Sequence, residues 1–259
     1  MFLNFNKFLA IKSIYWNSVN NIKYIRQIIG GRKCMNDKQM QSNYIRVVGV
    51  INGNLEFSHE VFGEKFYEFT LEVPRLSETK DLLPVIISER IINDIDMDIG
   101  NFVVIDGQFR SYNRYEDLSN KLLLRIFVRD ISVPGEDEIS EIIKHPNEVF
   151  LNGYLCKDTK YRTTPFGREI TDMLIAVNRS YNKSDYIPCI AWGRNARYCE
   201  KLEIGDHVRV WGRIQSRKYQ KKNYEDDYET KTAYEVSITK LEHIKTDNNR
   251  KKDEFLQQL

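Results

Sequence analysis

Between residues 43 and 244 the chain repeatedly alternates apolar and polar side chains with a period of two. Phe69, Leu71 and Val73 form one such run, Val103, Ile105 and Phe109 a second, and Leu124, Ile126 and Val128 a third. Further on, Met173, Ile175 and Val177 alternate with Asp172, Leu174 and Ala176. Val208, Val210 and Ile214 alternate with Arg209, Trp211 and Arg213, and Val236 and Ile238 with Glu235, Ser237 and Thr239. Residues two apart share one face of a strand, so the pattern predicts strands that turn one face to a core. Two segments, Ser88–Ile99 and Gly193–Ile204, break the alternation; in the second, Ala196, Cys199 and Leu202 fall at helical spacing. Gly100-Asn101 and Gly205-Asp206 then turn the chain into the next strand.

The two halves are copies. At an offset of 104, Gly49 meets Gly153, Phe62 meets Phe166, Gly63 meets Gly167, Arg75 meets Arg179, Pro84 meets Pro188 and Arg90 meets Arg194. After one residue of drift, Gly100 meets Gly205, Gly107 meets Gly212 and Ser111 meets Ser216. Such a period is domain-sized, well above the ~20–50 residues of solenoid repeats. Five strands with a short helix between the third and fourth is the order of an OB-fold, a small Greek-key barrel whose closure leaves no strand edge open. The expected architecture is therefore all-β, with two tandem OB-fold barrels. Periodicity alone leaves another barrel or sandwich of equal strand count open.

The expected organisation is an extension over 1–42, a first barrel over 43–133, an acidic linker over 134–146, a second barrel over 147–244 and a polar tail over 245–259. The linker opens with Pro134-Gly135 and has room for one helical turn around Ile139, Ile142 and Ile143. Residues 1–34 carry no acid and no signal-peptide pattern. Gly30-Gly31 just ahead of Met35 can be encoded by a ribosome-binding sequence, so the functional start is expected at Met35.

Composition narrows the function classes. Hydrophobic residues make up 41% and charged residues 29% of the chain, as in soluble globular proteins. No apolar run approaches the ~18 residues of a membrane span. Cys34, Cys156, Cys189 and Cys199 show no CxxC pairing, and His59, His145, His207 and His243 are scattered. No metal site, disulfide framework, catalytic set or cofactor is expected, and the thiols fit a reducing cytosol. The net charge of +2 is uneven. Residues 43–133 hold 10 basic and 15 acidic residues, hence −5, and residues 147–244 hold 17 and 14, hence +3. A polyanion is expected to prefer the second copy.

OB barrels bind oligonucleotides on the face of strands 2 and 3, helped by the 1–2 and 4–5 loops. Strand 3 of the second copy runs from Tyr186 to Trp192. With Ile187, Cys189 and Ala191 inward, Tyr186, Ile190 and Trp192 share the outer face, where an exposed ring stacks on any base. With the opposite strand phase, Trp192 would be core. Tyr181 lies in the loop before. The 4–5 loop, about 216–233, is expected to be a flexible arm in which Arg217, Lys218, Lys221 and Lys222 meet phosphate and Tyr219 stacks. Arg162, Arg168, Arg179 and Arg194 are candidate phosphate contacts. Tyr112, Arg114 and Tyr115 of the first copy are candidates for a weaker contact.

The second copy resembles bacterial single-stranded DNA-binding proteins. The resemblance lies in Asn152-Gly153-Tyr154-Leu155, Thr164-Pro165-Phe166-Gly167, Leu174 to Arg179, Cys189 to Arg194 and Val210 to Tyr219. It is specific over about 147–244 and weak over 43–133. It implies non-catalytic, sequence-tolerant binding of single-stranded DNA in replication, recombination or repair, through aromatic positions matching Tyr181, Tyr186, Trp192 and Tyr219. It further implies a cytoplasmic, nucleoid-associated bacterial protein and a homodimer holding four OB domains. The family's acidic Pro-Phe ending has no counterpart in Asp253–Leu259, which puts recruitment of repair partners in doubt. Competing readings are a primosomal or RNA-binding OB protein, and an assembly protein that binds no nucleic acid.

Overall fold

The computed structural model of the protein describes residues 42–244 apart from 76, 78, 93–94, 117–118 and 223–227. Side chains of 113–116, 119–121 and 221–222 are also outside the description. The expectations for residues 1–41, including Met35 and Cys34, and for the tail after 244 lie outside the described residues.

The first copy contains β1 (Asn43–Ile51), β2 (Glu56–Val61), β3 (Glu64–Pro74), β4 (Lys80–Ser88), α1 (Glu89–Ile92), β5 (Phe102–Glu116) and β6 (Ser119–Ser132). A short helix, α2 (Glu136–Ile142), follows. The second copy contains β7 (Asn147–Leu155), β8 (Lys160–Thr163), β9 (Glu169–Arg179), β10 (Lys183–Trp192), α3 (Arg194–Cys199), β11 (His207–Lys222) and β12 (Tyr228–Ile244). Both copies close in the same way. β1 pairs antiparallel with β3 and β5, while β4 pairs antiparallel with β3 and parallel with β6. β7 pairs with β9 and β11, while β10 pairs antiparallel with β9 and parallel with β12. These are OB-fold barrels of five strands, each with one extra short strand, β2 or β8, in its 1–2 connection.

The alternating apolar positions fill the barrels. Leu71, Val73, Ile105, Phe109 and Ile126 are fully buried in the first, as are Ile175, Val208, Val210, Ile214 and Val236 in the second. Each such side chain contributes about 1.5–3 kcal/mol by leaving water. Glycines that reveal the repeat stand where backbones nearly touch. A Cβ on Gly107 or Gly212 would lie 2.3 or 2.2 Å from a carbonyl oxygen of Phe127 or Ser237. There β6 and β12 each slip by one residue against their partners, a β-bulge that bends the ribbon into the barrel wall. An asparagine at the start of each first strand braces the same place. Asn43 exchanges two hydrogen bonds with the backbone of Phe109, and Asn147 does so with Ile214.

The two barrels are fused. β1 and β7 pair antiparallel from Asn43↔Leu151 to Val47↔Asn147, so one twelve-stranded sheet runs through both copies. Two equivalent clamps flank this seam. The fully buried Asp81 carboxylate accepts hydrogen bonds from Arg75 at 2.6 and 2.5 Å, and from the N–H and hydroxyl of Ser216 in the other copy. Reciprocally, Asp185 accepts from the Ser111 N–H at 2.8 Å and pairs with Arg179 at 3.3 Å. α2 supplies the expected helical turn of the linker, with Glu136, Asp137 and Glu138 at its positive N-terminal end.

Cys189 and Cys199 are buried, and burial pushes the Cys199 thiol up to about 12. Both suit an unreactive role in the core.

Candidate nucleic-acid interface

The outer face of the second barrel is built from the polar halves of its alternating strands. Cross-strand pairing lines up Arg162, Ile170 and Trp192 across β8, β9 and β10. Beside them, Arg213 and Ser237 pair across β11 and β12, and so do Gln215 and Glu235. Trp192 points outward, as the strand phase predicts. Its ring is half-buried and its indole N–H donates to the Ser237 hydroxyl at 3.1 Å, which fixes the ring's orientation. Ile190 shares this face but is 4% exposed, so it supports the platform from beneath instead of offering a stacking surface.

At the other end of β10, Tyr186 is half-exposed, and Tyr181 is 95% exposed at the tip of the β9–β10 hairpin. Tyr181 adopts φ 62°, a left-handed conformation that costs a non-glycine residue energy and holds its side chain out from the turn. Tyr186 and Trp192 are about 20 Å apart along β10 at ~3.3 Å per residue. The aromatic positions therefore form two groups, with Trp192 at one end and Tyr186 and Tyr181 at the other.

The 4–5 connection is not the flexible arm expected. β11 and β12 continue as an antiparallel ribbon as far as Lys222↔Tyr228, and β5 and β6 do so as far as Glu116↔Ser119. The ladder satisfies the backbone that a loop would have left to water. On the ribbon, Arg217, Lys218 and Tyr219 are exposed, with the Arg217 guanidinium 5.9 Å from the Tyr219 ring centre. The side chains of Lys221, Lys222, Arg114 and Tyr115 lie outside the described residues.

The candidate arginines divide. Arg168 and Arg194 are exposed, at a turn and at the start of α3. Arg162 pairs with Asp172 at 2.8 Å, Arg179 with Asp185 at 3.3 Å and Arg217 with Glu235 at 3.8 Å. A phosphate must compete with these carboxylates. Tyr112 is half-buried beside Arg110, not open on the ribbon.

One grouping was not visible in the sequence. Tyr186 donates its backbone N–H to the Ser111 hydroxyl of the first copy. The Tyr186 end of the second copy's face thus abuts the first barrel. A cleft of about 880 Å³ opens there, lined by Phe62, Gln108, Arg110 and Arg129 of the first copy and by Arg179, Tyr181 and Lys183 of the second. Alternation along β5 and β6 could have placed Gln108, Arg110 and Arg129 on one face, but not opposite Tyr181.

Two OB barrels, one of them presenting aromatic rings and cations on its outer strands, define the class of oligonucleotide-binding β-barrel proteins. Residues 146–244 match the single-strand binding protein family. The chain is 38% identical over 84 residues to single-stranded DNA-binding protein B of Bacillus subtilis (strain 168), covering 29% of this chain and 72% of that protein. It is also 38% identical over 81 residues to single-stranded DNA-binding protein 1 of Staphylococcus aureus (strain COL), where it covers 29% of this chain and spans about half, 48%, of that relative. The crystal structure of wild-type single-stranded DNA binding protein from Thermus aquaticus superposes with a TM-score of 0.59 at 18% identity, covering 79% of this chain and 93% of that one. The chain belongs to the single-strand binding protein family.

Proposed function

We propose that the protein binds single-stranded DNA without regard to sequence, carries out no chemistry on it, and serves DNA replication, recombination or repair. The observation that carries this reading is the outer face of the second barrel, where Trp192, Arg217 and Tyr219 stand on paired strands, with Lys218 exposed on the opposite side of the same ribbon. Base stacking contributes about 1–3 kcal/mol per aromatic contact and works for every base, while cations neutralise the backbone. Tyr181, Tyr186, Arg162, Arg168, Arg179, Arg194, Lys221 and Lys222 belong to the same proposed surface. Titration with oligo(dT) is expected to quench tryptophan fluorescence. Log affinity should fall with log salt at about −0.7 per phosphate neutralised. Binding that is absent at low salt, or equal at all salt concentrations, overturns the reading.

We further propose that two chains associate to bring four barrels together. Across the seam, Tyr44, Phe150 and Trp211 line up on the face of the sheet away from both cores. Phe150 and Trp211 pack at 5.1 Å, and the Lys240 ammonium lies 4.3 Å from the Trp211 ring centre. A half-buried aromatic row on a continuous sheet suits docking against a second copy of itself. Sedimentation is expected to give twice the mass of one chain, with Trp211→Ala shifting the population towards single chains. A single-chain mass for the wild-type protein at micromolar concentration refutes the dimer. Among the described residues no helix is long and apolar enough to cross a membrane.

A further inference from the structure

Among the described residues that line the cleft between the two barrels, Arg110, Arg129, Arg179 and Lys183 stand against a single carboxylate, Asp185. Arg110 stacks its guanidinium 3.7 Å from the centre of the Phe127 ring, and Arg129 lies 5.0 Å from the same centre. Both donate to the side-chain oxygen of Gln108, Arg110 at 3.2 and 2.9 Å and Arg129 at 3.3 Å. Among the described residues no carboxylate pairs with either. Arg179 and Lys183 line the same cleft, and its one carboxylate, Asp185, is already engaged by Arg179 and by Ser111. Burial, with Arg129 and Arg179 nearby, pushes the Arg110 guanidinium down to about 10. An anion placed between these cations would relieve their mutual repulsion and accept charge-assisted hydrogen bonds.

Two aromatic rings flank the charge. Phe62 of the first copy is fully exposed at the β2–β3 turn with φ 52°, and Tyr181 of the second is nearly so with φ 62°. Both line the cleft, one from each barrel, and both occupy the left-handed region that a non-glycine residue rarely adopts. The equivalent positions in the second copy lack the cations. Gln215 stands for Arg110 and Thr239 for Arg129.

We infer that this cleft is a second strand-binding subsite, in which Arg110 and Arg129 hold backbone phosphates of single-stranded DNA while Phe62 and Tyr181 receive bases. The inference rests on the strand-binding reading above. It makes the first barrel a participant through residues other than Tyr112, Arg114 and Tyr115. The strand passes from Trp192 along β10 to Tyr186 and Tyr181, and then onto the first copy.

The test compares the full chain with Arg110→Gln/Arg129→Gln and with Phe62→Ala, titrated with a long oligo(dT) at several salt concentrations. The double variant is expected to lose about tenfold in affinity at low salt and to show a log–log salt slope shallower by about 1.4, the value for two phosphates on a single strand. It should also bind fewer nucleotides per chain. Phe62→Ala lies on an exposed turn, so it cannot fail through loss of a core; it should lower affinity and leave the slope unchanged. If the wild-type chain binds and both variants match it in affinity, slope and site size, the cleft assignment is wrong while the reading of the Trp192 face stands. If the wild-type chain does not bind, strand binding itself falls. An equal preference of the cleft for inorganic phosphate, seen as competition by millimolar phosphate at constant ionic strength, would reassign it as a free-anion site.

Discussion

Replacing Asp81 by Ala is expected to destabilise the folded chain by about 3–5 kcal/mol, the usual cost of removing one member of a buried charged pair. The loss is large because Asp81 is fully buried and serves both copies at once. Without it the Ser216 N–H loses its acceptor, and the Arg75 guanidinium keeps its desolvation cost with only the Ser216 carbonyl left to receive it. Burial pushes the Asp81 carboxyl up, but the hydrogen bonds from Arg75 and Ser216 outweigh it, and the net shift is downward. Its contribution is therefore complete above the unfolded carboxylate range near pH ~4 and is lost as the pH falls through the lower folded value. Asp185 is shifted the other way, because burial outweighs its partners. Its protonated form is favoured in the fold, so its contribution is fullest below the unfolded value and is lost as pH rises through the raised folded value. Chemical denaturation at pH 7 should show a much smaller loss for Asp185→Asn than for Asp81→Asn. Equal losses for the two would mean that the clamps are energetically alike and that the two-pronged Arg75 contact adds nothing.

Trp192→Ala should weaken oligo(dT) binding by about 1–3 kcal/mol with the fold intact, as for one stacked base. Trp192→Phe keeps an aromatic face but cannot donate to Ser237, so it should cost less than Ala. The measurement is a fluorescence or calorimetric titration beside a circular dichroism spectrum of each variant. Unchanged affinity for Trp192→Ala would take that ring out of the strand path and leave Tyr219 and the Tyr181 end as the stacking positions.

The strand order, the barrel closure and the direction of Trp192 were legible because each follows from local alternation, which reports one side chain at a time. The repeat glycines were legible as a pattern, and the close approaches at Gly107 and Gly212 supply the reason. The ribbons were missed because charge and polarity read as loop, whereas pairing such as Tyr219↔Lys231 needs only a complementary backbone. The contact of Asp81 with Ser216 joins residues 135 apart and no local signal announces it. Summed charge conceals local grouping. The first copy carries a net −5 over 43–133, yet Arg110 and Arg129 line one cleft together. Ion pairs such as Arg162 with Asp172 show the converse, since a cation counted for the second copy is already matched.

The pairing of β1 with β7 has a thermodynamic consequence. Because both strands belong to one chain, their union is governed by tether length and not by mass action. The partner is present at the high local concentration that a short connection imposes, whatever the amount of protein in solution. Dilution can separate one chain from another, but it leaves each pair of barrels and the cleft between them intact.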